Sequence, residues 1–208
     1  MFDTATAILD LLGVVVFATT GALVASRKEM DIVGFALLAL ATGIGGGTLR
    51  DLILDVPVFW VARPSYLLIC IAVAIVVFFT AHVPQSRYRL LLWLDAVGLA
   101  IFAVAGTEKA LLAGTGPVVA VALGIIGATF GGIIRDVLGH EPSVILTREI
   151  YVTAALAAAI AFALLDATGL SREGAVLAAV ALGFAVRGAA LYWGLSLPRY
   201  RPRPGTKV

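Results

Sequence analysis

Seven nearly uninterrupted apolar stretches run along the chain, at roughly 7–25, 32–54, 66–82, 91–112, 117–138, 149–166 and 173–195, separated by short clusters of Gly, Pro and charged residues. Each is close to the ~20 residues an α-helix needs to cross a bilayer. The pattern predicts an all-α membrane protein of seven transmembrane helices, connected so tightly that no separate soluble domain fits in 208 residues. A single transmembrane domain over 1–198 follows, with a basic tail at 199–208. In that tail Arg199, Arg201, Arg203 and Lys207 alternate with Pro202, Pro204 and Gly205, a composition that cannot build a packed element and predicts a flexible cytoplasmic segment.

Sliding the sequence against itself by 85 positions exposes a second regularity. Without a gap, Asp10 falls on Asp95, Gly13 on Gly98, Phe17 on Phe102, Gly21 on Gly106, Gly46-Gly47 on Gly131-Gly132, Arg50-Asp51 on Arg135-Asp136, Pro57 on Pro142, Arg63 on Arg148 and Tyr66 on Tyr151. Leu and Gly matches are cheap in so apolar a chain, whereas matches at Asp, Arg, Pro and Tyr in one register are not. The chain is therefore a duplication, with one copy at 7–82, a second at 91–166 and an extra helix at 173–195. Each copy holds three spans, so the second enters the bilayer from the opposite side: an inverted-topology repeat, an architecture that usually encloses a solute path.

Composition sharpens this reading. Hydrophobic residues make up 61% of the chain and charged residues 13%, against roughly half and about a quarter in soluble domains. A formal net charge of +2 gives no reason to expect a nucleic-acid partner, and no soluble partner is implied. Cys70, the sole cysteine, excludes an internal disulfide and reads as a small buried hydrophobe. No basic flank precedes the first span, which is therefore expected to stay in the mature protein. Arg27, Lys28, Arg87, Arg89, Arg135, Arg148, Arg199, Arg201, Arg203 and Lys207 collect on one side, and Arg50, Arg63, Lys109 and Arg172 on the other, with Arg187 inside the last span. Ten basic residues against four predict an N-terminus outside and a C-terminus in the cytoplasm.

Chemistry concentrates at the repeated motifs. Gly45-Gly46-Gly47 and Gly131-Gly132 sit inside apolar spans, and each Gly weakens a helix interior by up to about 1 kcal/mol relative to Ala. One such cluster reads as close helix packing. Two at equivalent positions, each followed by Arg-Asp, predict a kink or unwound turn lining a path. Charges in the hydrocarbon cost roughly 2.5–3.5 kcal/mol each even on a lenient scale and need partners. Neighbours on a helix point about 100° apart, so Arg50-Asp51 and Arg135-Asp136 are not expected to satisfy themselves alone. Asp10 opens the first span on the side where Arg50 closes the second, and Asp95 and Arg135 are the equivalent pair, so contacts between Asp10 and Arg50 and between Asp95 and Arg135 are expected. Anchoring of helix ends is the plainer role for the same residues. Lys109, where the first copy has Val24, is either a gate element that swings away or pairs with Glu108, or a side chain that snorkels to the interface. Arg187 is expected to snorkel. Thr19, Thr20, Thr42, Thr48 and Thr129 offer hydroxyls to a cation or, more commonly, to their own backbone. His82 and His140 carry no metal-site spacing, and neither an enzyme constellation nor a phosphate loop is present.

The paired glycine clusters with Arg-Asp, the Asp-x-x-Gly-x-x-x-Phe pattern at Asp10–Phe17 and Asp95–Phe102, and Gly106-Thr107-Glu108-Lys109-Ala110 together resemble the prokaryotic branch of the trimeric intracellular cation (TRIC) channel family, over about residues 5–195. The resemblance implies a homotrimer in a prokaryotic inner membrane, surrounded by lipid, with a pore in each protomer conducting potassium and, less well, sodium. No cofactor other than the permeant ion is implied. It points to Gly45, Gly46, Gly47, Gly131 and Gly132 as pore and helix-break residues, and to Arg50, Asp51, Arg135 and Asp136 beside them. Asp10, Asp95 and Lys109 join these as pore-lining or gating charges on the residue reading above. Phe130 stands where the first copy has Gly45, so the fifth span is expected to be less disrupted than the second. Members of this branch also carry the label of glycine transporters, which makes a carrier for glycine or another small amino acid the rival reading.

Overall fold

The computed structural model describes residues 4–83, 86–142 and 150–198, with side chains from residue 8. The tail at 199–208, Arg148, and Asp3 fall outside the described residues. Every regular element is a helix: α1 (Thr4–Arg27), α2 (Ile32–Ile53), α3 (Phe59–Ala62), α4 (Ser65–Thr80), α5 (Arg87–Leu112), α6 (Pro117–Leu138), α7 (Val152–Ala167) and α8 (Arg172–Trp193). Seven of them match the seven expected spans. The sequence pattern missed α3, a single turn between two prolines. Five of the helices are long and apolar enough to cross a membrane by length and composition, and α4 and α7 are shorter apolar helices.

Helix ends follow local chemistry. The carboxylate of Asp31 accepts the Gly34 amide at 2.8 Å to start α2, and the hydroxyls of Ser86 and Ser171 accept the amides of Arg89 and Gly174 at 3.2 and 3.3 Å to start α5 and α8. Pro117 opens α6, where its missing N–H costs nothing. Gly194 ends α8 at φ 64°, a left-handed turn that glycine adopts without strain.

The fold is two inverted three-helix repeats, α1-α2-α4 and α5-α6-α7, with α8 added against α5 and α7. The pseudo-two-fold is visible in reciprocal contacts. The Phe17 and Phe102 rings lie 5.2 Å apart, and each covers the other copy's glycine: a Cβ on Gly13 would lie 2.8 Å from the Phe102 ring, and one on Gly98 2.5 Å from that of Phe17. Basic residues gather at one end of the bundle among the described residues. There Arg27 and Lys28 reach Glu141 at 3.5 and 3.3 Å, and Arg87 donates to the Ser26 hydroxyl at 2.8 Å.

Candidate functional site: two buried charge clusters

Glycine brings α2 and α6 together. A Cβ on Gly46 would lie 2.1 Å from the Gly127 carbonyl oxygen, and one on Gly131, its repeat equivalent, 2.5 Å from that of Thr42, the equivalent of Gly127. The backbones touch through the absent side chains. Helical structure is nevertheless continuous from Ile32 to Ile53 and from Pro117 to Leu138. The expected unwound turn is therefore corrected: backbone contact holds the two helices together, and contacts with neighbouring elements offset the weak propensity of the glycines.

On either side of this seam lies a cluster of charged side chains withdrawn from solvent. In the first, Arg50 on α2 is fully buried. Its Nη1 donates to Asp10 Oδ1 on α1 at 3.2 Å, and its Nε donates to Asp51 Oδ1 at 2.8 Å. Asp51 also accepts Lys109 Nζ of α5 at 2.8 Å and the Phe59 amide of α3 at 2.9 Å. The missed turn α3 thus has a role: it closes over the cluster, with Phe59 against Gly47 and Lys109 Nζ 5.9 Å from the Phe59 ring. Trp60 Nε1 donates to the Thr48 hydroxyl at 2.8 Å, fastening α3 to α2.

The second cluster is the repeat copy of the first. Arg135 on α6 donates from Nη1 to Asp95 Oδ1 on α5 at 2.7 Å, and from Nε and Nη2 to Asp136 Oδ1 at 2.9 and 2.8 Å. It also reaches the Thr20 hydroxyl of α1 at 3.2 Å, where the first cluster has Ala105 in the equivalent place. Both pairings anticipated from helix ends, Asp10 with Arg50 and Asp95 with Arg135, are present. Each arginine also folds back onto its adjacent aspartate, which the 100° offset did not anticipate, because the long guanidinium arm reaches around the helix.

Two expectations are corrected. Lys109 does not snorkel: it is 2% exposed and bound to Asp51. Glu108 accepts both Nε and Nη2 of Arg172 on α8, the latter at 2.8 Å. Arg187 does not snorkel; it is buried, with its guanidinium 5.2 Å from the Tyr151 ring centroid, a cation–π contact that replaces the interface as its partner. The threonines Thr19, Thr20, Thr42, Thr48 and Thr129 all donate to carbonyls on their own helices, at 2.6–2.8 Å. Cys70 is free and buried, and His82 and His140 are exposed at helix ends. Among the described residues no group of acids, histidines and cysteine is placed to hold a metal.

Nine charged side chains, Asp10, Arg50, Asp51, Asp95, Glu108, Lys109, Arg135, Asp136 and Arg187, are thus buried in an apolar bundle. Buried ion pairs are weak evidence for stability, since the cost of desolvation rivals the attraction. In a membrane interior such residues make a candidate functional site.

The same fold recurs in solved structures. The crystal structure of the TRIC trimeric intracellular cation channel orthologue from Rhodobacter sphaeroides superposes with a TM-score of 0.90 at 61% sequence identity, covering 93% of this chain and all of that one. The chain belongs to the prokaryotic TRIC family. A second prokaryotic TRIC channel, crystallised in 0.5 M KCl, gives a TM-score of 0.85 at 30% identity over 93% of this chain and 98% of its own. Among curated relatives, the UPF0126 inner membrane protein YadS of Escherichia coli K12 is 40% identical over 195 residues, or 92% of this chain and 94% of its own, and a UPF0126 membrane protein of Vibrio cholerae is 38% identical over 93% and 82%. The family model with the description "Glycine transporter" matches twice, at residues 7–82 and 92–167, once in each repeat of this TRIC chain.

Proposed function

We propose that this protein is a monovalent cation channel with a path through each protomer between α1, α2, α5 and α6, and that the structure is its closed form. The observation that supports it is the pair of pseudo-symmetric charge clusters, one toward each end of the seam. Carboxylates in such places attract cations, while Arg50 with Lys109 and Arg135 occupy them when the path is shut. In this reading Asp10, Asp51, Asp95 and Asp136 are the acids a passing ion meets, and Lys109 is the gate ammonium of the first cluster. Gly45, Gly46, Gly47, Gly131 and Gly132 line the seam along which α2 and α6 separate. The path belongs to the protomer, and the protein works as a homotrimer in the inner membrane, with its N-terminus outside and its basic tail in the cytoplasm. Potassium is the preferred ion, since the clusters present no rigid cage of oxygens to compensate the stronger hydration of sodium.

A second reading, a carrier for glycine, is favoured by the description of the matching family model. It requires a closed midplane site that opens alternately to the two sides. Purified protein in planar bilayers separates the two. The channel gives unitary potassium currents without any amino-acid gradient, while silence combined with saturable glycine counterflow refutes it in favour of the carrier.

A further inference from the structure

The glycine that follows the seam contact in each repeat, Gly47 and its equivalent Gly132, leaves a notch beside its charge cluster, and the two notches are filled differently. A Cβ on Gly47 would lie 2.7 Å from the Phe59 ring, whereas one on Gly132 would lie 2.8 Å from the Tyr151 hydroxyl. The same point at Gly132 is 3.7 Å from both Asp95 Oδ1 and Arg135 Nη2, so the hydroxyl borders the ion pair of the second cluster. Each filling side chain is braced by another. Phe59 stands edge-on to Tyr66, with ring centroids 4.9 Å apart. Tyr151, the repeat equivalent of Tyr66, has the Arg187 guanidinium of α8 over its ring, 5.2 Å from the centroid.

A side chain in such a notch acts on the neighbouring pair by keeping water out. The Arg135 and Asp95 side chains are each 1% exposed, and water admitted beside them would weaken their attraction. Tyr151 is the residue just before α7. Its hydroxyl is buried without a hydrogen-bond partner among the described residues, so what holds it in place is the packing of its ring. A cation over the ring face adds attraction to that packing, and more so away from water. From this geometry we infer that Tyr151 is the plug of the second cluster and Arg187 its positioning residue: the guanidinium keeps the hydroxyl in the Gly132 notch and so keeps the Arg135–Asp95 pair dry and closed. The unrepeated helix α8 thereby acts on the second cluster. The inference rests on the channel reading for what opens, and on the contacts alone for what fills the notch.

Two series test it. In the first, thermal unfolding in detergent follows Gly132→Ala in the parent and in Tyr151→Phe. The added methyl meets the hydroxyl, while the other atoms near it stand at ordinary contact distance. Gly132→Ala is therefore expected to lower the midpoint of the parent but not that of Tyr151→Phe; an equal drop in both backgrounds takes the hydroxyl out of the notch and overturns the inference. The second series reads open probability in planar bilayers. Tyr151→Phe and Arg187→Met should each raise it by about threefold or more, and the double variant no further than either alone, as expected of residues in one network. Arg187→Lys, which keeps a cation for the ring, should restore most of the parent behaviour. If Arg187 merely ties α8 to the Ile150 carbonyl, which it reaches at 3.4 Å, Arg187→Met will act equally in the parent and in Tyr151→Phe, and the positioning role falls. Should Arg187→Met not assemble, Arg187→Gln, which keeps a donor for Ile150, takes its place with the same two outcomes. A parent protein that carries no current overturns the channel reading, while the unfolding series still tests the plug.

Discussion

Adding one methyl group at each of three glycines on the α2–α6 seam separates close packing from simple glycine flexibility. On Gly46 the new Cβ lies 2.1 Å from the Gly127 carbonyl oxygen, 1.3 Å short of the 3.4 Å at which ordinary contact begins, and the obstacle is backbone. The helices must separate, and overpacking of this kind costs about 1–3 kcal/mol. Better helix propensity returns at most about 1 kcal/mol, so overpacking leaves a net loss of up to about 2 kcal/mol. On Gly45 the Cβ meets only the tip of Ile134, Cδ1 at 2.7 Å, with the next atom at 4.0 Å. That side chain can turn away, so Gly45→Ala should stay within about 0.5 kcal/mol of the parent. On Gly127, directly across from Gly46, the nearest atom is Arg50 Cδ at 3.8 Å, so Gly127→Ala fits without displacement. Thermal unfolding in detergent, followed by size-exclusion fluorescence, should therefore rank Gly46→Ala clearly below the other two. In planar bilayers the same variant should have a raised open probability, because α2 is held away from α6. Coincident midpoints for all three variants would refute the argument that backbone contact is why glycine stands at 46.

Arg135→Gln should destabilise more than Arg50→Gln in the same unfolding assay. Removing Arg50 leaves Lys109 on Asp51, whereas removing Arg135 takes the arginine from both Asp95 and Asp136; loss of one partner from a buried pair costs about 3–5 kcal/mol. Equal midpoints would show that Lys109 does not neutralise the first cluster. Phe17→Ala, which empties the ring position between Phe102 and Gly98, should cost about 3–5 kcal/mol, and a double variant with Phe102→Ala should cost less than the two added together. Cys70, buried and unpaired, should resist a membrane-permeant maleimide in the folded protein and react on thermal unfolding; rapid labelling of the native protein would contradict its burial.

How legible the molecule was from sequence differed between its parts. The seven spans and the duplication could be read because hydrophobic length and a gapless register are one-dimensional signals. The pairs of Asp10 with Arg50 and Asp95 with Arg135 followed from which helix ends share a side. The glycine clusters suggested an unwound turn because weak propensity is local, whereas α2 and α6 stay helical where their backbones meet, Gly46 at Gly127 and Gly131 at Thr42, far apart in the sequence. The partners of Lys109 and Glu108 were hidden for a related reason. Adjacent residues diverge around the helix, so Asp51 of α2 and Arg172 of α8 reach them from two other helices. The clue to Arg172 was present as an acid-base pair in an apolar run with no counterpart in the first copy. Helix α3 lacked any periodic signature, having a single turn.

The third helix of each repeat, α4 and α7, has 16 residues, or about 24 Å at 1.5 Å per residue, while the hydrocarbon slab is about 30 Å deep. α5, with 26 residues, is more than long enough. Leu68, Val76 and Phe79 on α4 and Leu156, Ile160 and Leu164 on α7 face outward from the bundle, so the acyl chains beside them must shorten to match. The protomer is therefore expected to thin the bilayer where these two short helices meet lipid. Lipids with longer tails resist such thinning, so acyl-chain length becomes a means of tuning the stability of this protein without altering a single residue.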